Sequence, residues 1–263
     1  MKTVKSKDGT SIAFNKEGSG AAVILVDGAF CSKDFGPMPK LMKLLTPSFT
    51  VFTYDRRGRG ESGDTKPYAV QREVEDLDAI IKEAGGTAFL FGMSSGAVLS
   101  IRAVASGSKV TKLALYEPPF NVDHKYKSPP AGYAKTLHGM IAEGRKSDAV
   151  KFFLTKVMGA PGIVAFIMSL TKNWSKMKAT ANSLPYEAEV MGDSSVPVEE
   201  LRSISIPVLA IGGEKSPAML RAAAQAVSMH LPNSQHKILA GQTHNVSQEV
   251  LAPVLIDFYR SKI

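Results

Sequence analysis

Ser94 stands in a setting that could make it a nucleophile, in the middle of Gly92-Met93-Ser94-Ser95-Gly96. An apolar run over 87–91 leads into it and a small-residue run over 97–105 follows, which predicts a strand that turns sharply into a helix. The flanking glycines permit a close backbone approach that a side chain would block. Such a turn presents the hydroxyl beside a helix N-terminus, which favours developing negative charge. Taken alone, the pentapeptide also fits a glycine-rich turn without a chemical role.

A serine hydroxyl is a poor nucleophile until a base accepts its proton. His244 follows the last predicted strand, in the glycine-containing loop Gly241-Gln242-Thr243-His244. The remaining histidines lie in the middle segment of the chain, at a helix end or within a strand: His124, His138, His230 and His236. We therefore expect His244 to be the base.

Two glutamates could hold the imidazole of such a base. In serine hydrolases whose nucleophile lies on such a strand-to-helix turn, the acid usually follows the strand that corresponds to 207–211 here, in a Gly-Glu-x-Asp-Pro pattern. This chain has Ser216 in place of that aspartate, with Glu214 nearby but shifted. Glu117 follows the strand at 112–116, and a carboxylate between an apolar strand and two prolines is costly without a partner. We favour Glu117 and keep Glu214 as the alternative, while Glu117 could also be a plain strand-end residue.

The negative oxygen formed by attack on a carbonyl needs preorganised N–H donors. We expect one donor from Ser95 and another from Gly28 or Ala29, in the loop after the strand at 21–26. Asp27 opens that loop, and an ionised carboxylate aimed inward would oppose the developing charge. We expect Asp27 to point away from this site or to bond the loop's own backbone, with recognition of a substrate hydroxyl as the alternative.

Short apolar runs alternate with helical patterns and predict an α/β fold with a mostly parallel, doubly wound sheet. The predicted strands cover residues 10–17, 21–26, 50–54, 87–91, 112–116, 207–211 and 235–239. Ligands bind at the carboxyl ends of such strands, and the candidate residues follow those ends. The segment 120–200 has helical patterns, over 131–143, 147–157 and 164–178, without a convincing strand. We therefore predict a core domain over 1–119 and 201–263 and a helical cap over 120–200.

Some apolar side chains of the cap must line a crevice beneath it, although residues at helical spacing are more often core. Among them we expect Trp174 to contact substrate. The apolar cap residues considered are Phe152, Met158, Phe166, Met168, Trp174 and Met177. The densest basic cluster, Arg56-Arg57-Gly58-Arg59, is interpreted as a tight surface loop that pairs with local acids.

Composition narrows the classes of partner. The 263 residues carry a formal net charge of +8, but the basic residues are spread along the chain, which argues against nucleic-acid binding. No apolar run approaches the roughly 20 residues of a membrane span, and the N-terminus lacks the apolar stretch of a signal peptide. The single cysteine, Cys31, favours a reducing cytoplasm. No metal-ligand spacing occurs, and we expect a monomer or homodimer that acts on a small molecule.

Three motifs together resemble the α/β-hydrolase family in order and spacing: residues 54–62 (Tyr-Asp-Arg-Arg-Gly-Arg-Gly-Glu-Ser), the pentapeptide 92–96 and the loop 241–244. Within that family, Asp27-Gly28, Ser94-Ser95 and a glutamate after the sixth strand are similar to the zearalenone lactonase group. This resemblance implies a core of the α/β-hydrolase type and cofactor-free hydrolysis of esters or lactones. It also implies roles for five residues, with nucleophile, base, acid and two oxyanion donors matching Ser94, His244, Glu117, Gly28 and Ser95. The cap shares no recognisable pocket residues with that group, so no substrate is implied.

The leading hypothesis is thus a cofactor-independent serine hydrolase that cleaves carboxylic esters or lactones through an acyl-enzyme. A cofactor-free perhydrolase or haloperoxidase would use the same Ser-His-Glu triad with peroxide and a small acid. A catalytically idle small-molecule-binding protein on the same scaffold is the third possibility, although binding alone would not require Ser94 and His244.

Overall fold

An eight-stranded sheet forms the centre of the protein, in a computed structural model that describes residues 2–122, 126 and 128–261. The strands are β1 Lys2–Lys5, β2 Ser11–Gly18, β3 Ala22–Val26, β4 Thr50–Tyr54, β5 Ala88–Met93, β6 Val110–Tyr116, β7 Val208–Gly213 and β8 Ser234–Leu239. They lie in the order β1-β2-β4-β3-β5-β6-β7-β8. The pairs β1–β2 and β2–β4 are antiparallel, and the strands from β4 to β8 are parallel.

Helices connect the parallel strands and fill the segment between β6 and β7. They are α1 Met38–Leu45, α2 Val70–Glu83, α3 Ser95–Ala105, α4 Tyr133–Ala142, α5 Lys146–Phe152, α6 Gly162–Ser169, α7 Asn173–Ala179, α8 Leu184–Met191, α9 Val198–Ser203, α10 Ala218–His230 and α11 Gln248–Arg260. A π-helical turn over Phe153–Val157 follows α5, and a 3₁₀ turn over Ala181–Ser183 precedes α8.

The sheet is buried on both faces. In β3, Ile24 and Val26 pack in a core with residues of α2, α3 and α10, whereas Val23 and Leu25 pack in a second core with residues of α1 and α11. Because both faces are covered, the central strands are continuous apolar runs rather than alternating ones. The predicted α/β class with a mostly parallel, doubly wound sheet is confirmed.

Two local predictions differ from the structure. Strand β1 was not expected, because its residues are mostly exposed and three of its four are polar. Residues 164–178 were expected to form one helix but form α6 and α7. Between these helices, the hydroxyls of Ser169 and Thr171 donate to the carbonyl oxygens of Phe166 and Met168, at 2.6 and 2.8 Å. Such local bonds compete with a continuous helix.

The described residues between β6 and β7 form helices and loops, with an apolar core of their own built from α4 to α8. Phe30, from the loop after β3, also packs in this core. We call this segment the cap. Its division from a core domain at 120 and 200, and the expected monomer or homodimer, stay predictions. No helix in the described ranges is long and apolar enough to cross a membrane.

Candidate active site

Ser94 occupies a strained turn between β5 and α3, with φ 55° and ψ −128°. A positive φ is rare for a residue with a side chain and often marks a functional position. A Cβ on Gly92 would lie 2.6 Å from the Gly96 carbonyl oxygen, and one on Gly96 would lie 2.2 Å from the Val26 carbonyl oxygen. Neither position can carry a side chain without displacement of the backbone, and the close approach at Gly96 packs the turn against the end of β3.

His244 and Glu117 form a hydrogen-bonded pair beside this turn. Nδ1 of His244 lies 2.7 Å from Oε2 of Glu117, whose side chain is fully buried. Because a carboxylate only accepts, this bond places the ring proton on Nδ1 and leaves Nε2 as an acceptor. His244 is part-exposed and lines the same cavities as Ser94. A neutral imidazole in this tautomer can accept a hydroxyl proton.

The sheet explains why Glu117 reaches this position. Strand β6, which ends just before Glu117, lies between β5 and β7. On the β5 side, the Ser94 N–H donates to the Tyr116 carbonyl oxygen at 2.9 Å. On the β7 side, the Gly213 N–H donates to Glu117 Oε1 at 2.7 Å. Both carboxylate oxygens of Glu117 are thus bonded, and its φ is 48°. Glu214 instead is exposed and accepts from Gly241 N–H at 2.7 Å. The geometry favours Glu117 over Glu214 as the partner of His244.

The loop after β3 packs directly on the turn that carries Ser94. A Cβ added to Gly28 would meet Cβ of Ser94 at 3.1 Å, so only a glycine allows this contact without displacement. Gly28 and Ala29 line a cavity with Ser94, and Ser95 follows Ser94 as the first residue of α3. The three backbone N–H groups expected to stabilise an oxyanion therefore belong to segments in contact with each other.

Two cavities adjoin Ser94 and His244. The first cavity measures about 610 Å³ and lies between the loop after β3, the start of α11 and the cap residues Met158, Met168 and Met177. The second cavity measures about 320 Å³ and lies between α3, α10 and other cap residues. Ala29 and Met158 line both. A substrate carbonyl at Ser94 could therefore place one part in each cavity.

Asp27 lines the first cavity and is 4% exposed, with no hydrogen-bond partner for its Oδ1. The expectation that it bonds the loop's backbone is not met by this oxygen. Burial raises the pKa of Asp27 to about 8, and the nearby Arg59 guanidinium only partly opposes the shift. The carboxyl group is consequently neutral at neutral pH, so it does not oppose negative charge near Ser94 as an ionised group would.

Trp174 lies inside the cap core rather than against the substrate crevice, so its predicted substrate contact is not supported. It is 7% exposed, and its indole N–H donates to Ser147 Oγ at 3.3 Å. Of the other apolar cap residues, Met158, Met168 and Met177 line the first cavity. Phe166 is 57% exposed, and Phe152 packs at the border of the cap core. Helical spacing in the sequence therefore did not distinguish cap residues that line the first cavity from those in the cap core or on the surface.

The arginines of residues 56–59 are not on a surface loop, so that interpretation was wrong. Arg56, Arg57 and Arg59 are at most 2% exposed. The pairing with nearby acids is correct: Arg56 Nε lies 2.6 Å from Glu73, and Arg57 Nη2 lies 2.7 Å from Asp76. Three arginines are buried in one short loop because each has a carboxylate to compensate its charge.

Glu187 of the cap also belongs to this network, and the sequence analysis missed it. Its Oε1 accepts from Arg56 Nη1 at 2.9 Å and from Arg59 Nη2. Arg59 also donates to the Gly28 carbonyl oxygen at 2.6 Å, and Arg56 donates to the Asp27 carbonyl oxygen at 3.3 Å. The network thus joins α8 to the loop beside Ser94. No sequence signal pointed to Glu187, because Asp55, Glu61 and Asp64 lie much closer to these arginines along the chain.

The other histidines that the structure describes line neither cavity. His138 pairs with Glu189 at 3.1 Å on the protein surface, while His230 ends α10 and His236 lies on β8. His124 lies outside the described residues. Within the described ranges no group of three or more potential metal ligands converges.

Comparison with known proteins connects this geometry to a family. A model of the family described as "Alpha/beta hydrolase family" matches residues 23–252. A solved structure of an alpha/beta hydrolase from Sphaerobacter thermophilus DSM 20745 is 49% identical and superposes with a TM-score of 0.92, over 98% of this chain and 100% of that one.

Two further comparisons carry less weight. The esterase RhEst1 from Rhodococcus sp. ECU1013 is 20% identical with a TM-score of 0.72, over 99% of this chain and 98% of that one, and shows the fold alone. An uncharacterized hydrolase, YraK, from Bacillus subtilis (strain 168) is 32% identical over 97 residues. That match covers 35% of this chain and 35% of the relative.

Proposed function

The chain belongs to the alpha/beta hydrolase family, and from this premise we propose that it hydrolyses carboxylic esters or lactones through a Ser94-His244-Glu117 triad. The observation that carries the proposal is the 2.7 Å bond between His244 Nδ1 and the buried Glu117 carboxylate. This bond orients a base beside a serine held in a strained turn at the mouth of two cavities. A protein that only bound ligands would have no need of this arrangement.

In the proposed reaction, Ser94 Oγ attacks the carbonyl carbon while His244 Nε2 accepts its proton. Collapse of the tetrahedral intermediate breaks the bond to the alkoxy oxygen, which takes the proton from His244 and leaves as the alcohol. A water molecule then gives its proton to His244 and attacks the acyl-enzyme. The bond between the acyl carbon and Ser94 Oγ breaks, His244 returns the proton to that oxygen, and the acid is released. Glu117 stabilises the positive imidazole in both steps.

The backbone N–H groups of Ser95 and of Gly28 or Ala29 would stabilise the negative oxygen in each tetrahedral intermediate. Their segments contact each other through Gly28 and Ser94, and the hydrogen bond from Arg59 to the Gly28 carbonyl oxygen holds the loop in place. Donors fixed before the reaction stabilise developing charge without reorganisation. The helix N-terminus of α3 contributes in the same sense.

The two cavities favour a medium-sized, largely apolar substrate, because Met158, Met168 and Met177 form much of the cap wall of the first. Asp27 is proposed to contact substrate there, since a neutral buried carboxyl group can donate a hydrogen bond to a substrate oxygen. The resemblance to the zearalenone lactonase group supports including lactones, in which acid and alcohol remain in one product.

The test is hydrolysis of 4-nitrophenyl acetate and butanoate by the wild-type protein and by Ser94→Ala. We expect turnover by the wild type and a loss of at least about 10³-fold in kcat for the variant, because the covalent step is removed. Inhibition by a phosphonate that labels serine provides an independent readout by mass spectrometry. Equal turnover by both proteins, or none by the wild type, would contradict the proposal.

The same triad could instead transfer the acyl group to hydrogen peroxide. Measuring peracid formation from acetate and peroxide beside ester hydrolysis distinguishes the two reactions. Hydrolysis at a higher kcat/KM than perhydrolysis is the outcome that the proposal requires. A protein without either activity would fit the catalytically idle binding alternative.

A further inference from the structure

Three residues that line the second cavity carry a polar atom for which the described chain provides no hydrogen-bond partner. The atoms are Oε2 of Glu187, Oγ of Ser95 and Oη of Tyr133. Glu187 and Ser95 are 0% and 5% exposed, and Tyr133 is half-buried. Most of the surrounding wall is apolar, including Phe153, Val157, Met158, Met191 and Leu220. Buried acceptors without partners are costly, so such atoms usually have a ligand or a water molecule to bond.

Glu187 is held in place through its other oxygen. Oε1 accepts from Arg56 and Arg59, and Arg56 is itself held by Glu73. Two guanidinium groups and two carboxylates balance one another's charges, so this network needs no further cation. Oε2 therefore retains its acceptor capacity and faces no protein donor. A neutral donor suits this position better than a cation, which the two arginines would repel.

Ser95 differs from the other buried serine of the same helix. Ser100 Oγ donates to the Gly96 carbonyl oxygen at 2.8 Å, which is the usual way for a helical serine to satisfy its hydroxyl. Ser95, in the first position of α3, has no such bond for its Oγ. Its hydroxyl is both a donor and an acceptor. The cavity thus presents a second hydrogen-bonding group immediately beside the nucleophile.

We propose that the second cavity binds a hydroxyl-bearing apolar part of the substrate, with the hydroxyl donating to Glu187 Oε2 and Ser95 Oγ offering a further hydrogen bond. The substrate class is then a hydroxy ester or a hydroxylated lactone. This inference rests on the proposed function. The arginine network supports that function on separate grounds, because it holds the loop beside Ser94. It assigns Glu187 to specificity, in addition to its part in the ion-pair network.

The test compares substrates that differ by one hydroxyl group. On the alcohol side, the monoacetates of butane-1,4-diol, pentane-1,5-diol and hexane-1,6-diol are paired with butyl, pentyl and hexyl acetate. On the acyl side, methyl 6-hydroxyhexanoate is paired with methyl hexanoate. We expect the wild type to prefer the hydroxylated member of at least one pair by about tenfold or more in kcat/KM, because a hydrogen bond to a charged, buried acceptor is gained. Absence of a preference in every pair would overturn the inference.

Glu187→Gln turns the unpartnered carboxylate into an amide and should reduce this preference to less than about twofold, mainly through KM for the hydroxylated member. Glu189→Gln, two residues along α8 on a part-exposed side chain paired with His138, is the matched control and should keep the full preference. If Glu187→Gln lowered kcat equally for both members and kept their ratio, Glu187 would only position the arginines, and the inference would be wrong. If Glu187→Gln fails to fold, the comparison of paired substrates with the wild type still tests the inference.

The two proposals fail in different ways. Hydrolysis of plain esters without any hydroxyl preference would overturn the specificity inference alone. Absence of all hydrolysis would overturn the proposed function, and the inference is then tested by binding of hexane-1,6-diol and hexan-1-ol to Ser94→Ala, followed by nuclear magnetic resonance. Tighter binding of the diol by about tenfold supports the site, and equal binding overturns it.

Discussion

Glu117 takes a position in the sheet that differs from the usual place of the acid, one strand earlier along the chain. It follows β6, next to β5 in the sheet, and both of its oxygens are bonded. Burial of a carboxylate is tolerated here because Gly213 N–H and His244 supply the hydrogen bonds that water would otherwise provide. Ser216 stands at the usual position of the acid, and Glu117 is the carboxylate that contacts His244.

Replacement of each glutamate by glutamine should separate their roles. Glu117→Gln removes the charge that stabilises the imidazolium, and we expect kcat for 4-nitrophenyl butanoate to fall by about 10³- to 10⁴-fold. Glu214→Gln keeps an oxygen able to accept from Gly241 N–H and should change kcat less than about threefold. Steady-state kinetics decides between them, and a larger loss for Glu214→Gln would assign the acid to Glu214.

Asp27 should give the activity a limit at alkaline pH. With the pKa of Asp27 raised to about 8, the group is neutral below that pH and ionised above it. A negative charge near the oxyanion then destabilises the transition state, so kcat should fall as the pH rises through about 8. The side chain in Asp27→Asn stays neutral, so kcat of this variant should not fall over this pH range. A pH–rate profile from 6 to 9.5 measures it, and identical profiles would contradict the assignment.

The same ionisation predicts a trend in stability. Burial raises the pKa of Asp27 from its ordinary value of 3.8 to about 8, so in this pH interval the folded protein holds a proton that the unfolded chain has released. The free energy of unfolding should therefore fall as the pH rises from about 4 to about 8. Denaturant titrations of wild type and Asp27→Asn should differ in this slope, with the variant less sensitive to pH.

At the scale of elements, the turn between β5 and α3 depends on two close approaches that a sequence motif cannot measure. Gly96 sits against the end of β3 and Gly92 against the first turn of α3. These contacts bring the loop after β3 onto Ser94, so the proposed nucleophile and the proposed oxyanion donors are held by the same packed backbone segments. Catalytic geometry here is a consequence of backbone packing.

Gly96→Ala should therefore lose both stability and activity. The new Cβ would lie 2.2 Å from the Val26 carbonyl oxygen, and the required displacement would move β3 away from Ser94. We expect a loss of about 2 kcal/mol or more in the free energy of unfolding and at least a tenfold loss in kcat for the folded fraction. Thermal unfolding and active-site titration measure these quantities.

Gly139→Ala is the matched control for that variant. Gly139 lies inside α4, and a Cβ there has no heavy atom within 4 Å. Alanine should raise the free energy of unfolding by about 0.5–1 kcal/mol through its higher helix propensity, with kcat unchanged. Equal effects of the two substitutions would show that close approach at Gly96 is not what the turn requires.

For the whole molecule, the buried arginines connect parts of the chain that are far apart in sequence. Arg59 and Arg56 bind Glu187 of the cap and carbonyl oxygens of the loop after β3. Arg57 instead joins Asp76 of α2 to Asp8 near the N-terminus, away from Ser94. One short loop therefore contributes ion pairs both beside the candidate active site and at a distant part of the fold.

Arg59→Met and Arg57→Met should have similar costs in stability and different effects on catalysis. Each leaves a buried carboxylate with a lost partner, so we expect about 3–5 kcal/mol of destabilisation for each. Only Arg59→Met releases the Gly28 carbonyl oxygen, and kcat of its folded fraction should fall about 10- to 100-fold. Denaturant titration with kinetics normalised to titrated active sites provides the measurement, and an equal kcat for both variants would exclude a role for Arg59 in positioning the loop.

The sequence by itself predicted the α/β class, the strand-to-helix turn at Ser94 and His244 as the candidate base, because these depend on short-range periodicity, glycine spacing and chain order. Only the tertiary structure decided which glutamate meets His244, since that depends on which strands are neighbours in the sheet. The same holds for the burial of Arg56 and Arg59 against Glu187, 131 and 128 residues away, and for Trp174 in the cap core. Charge compensation and packing act between distant segments, and local patterns carry no record of which segments meet.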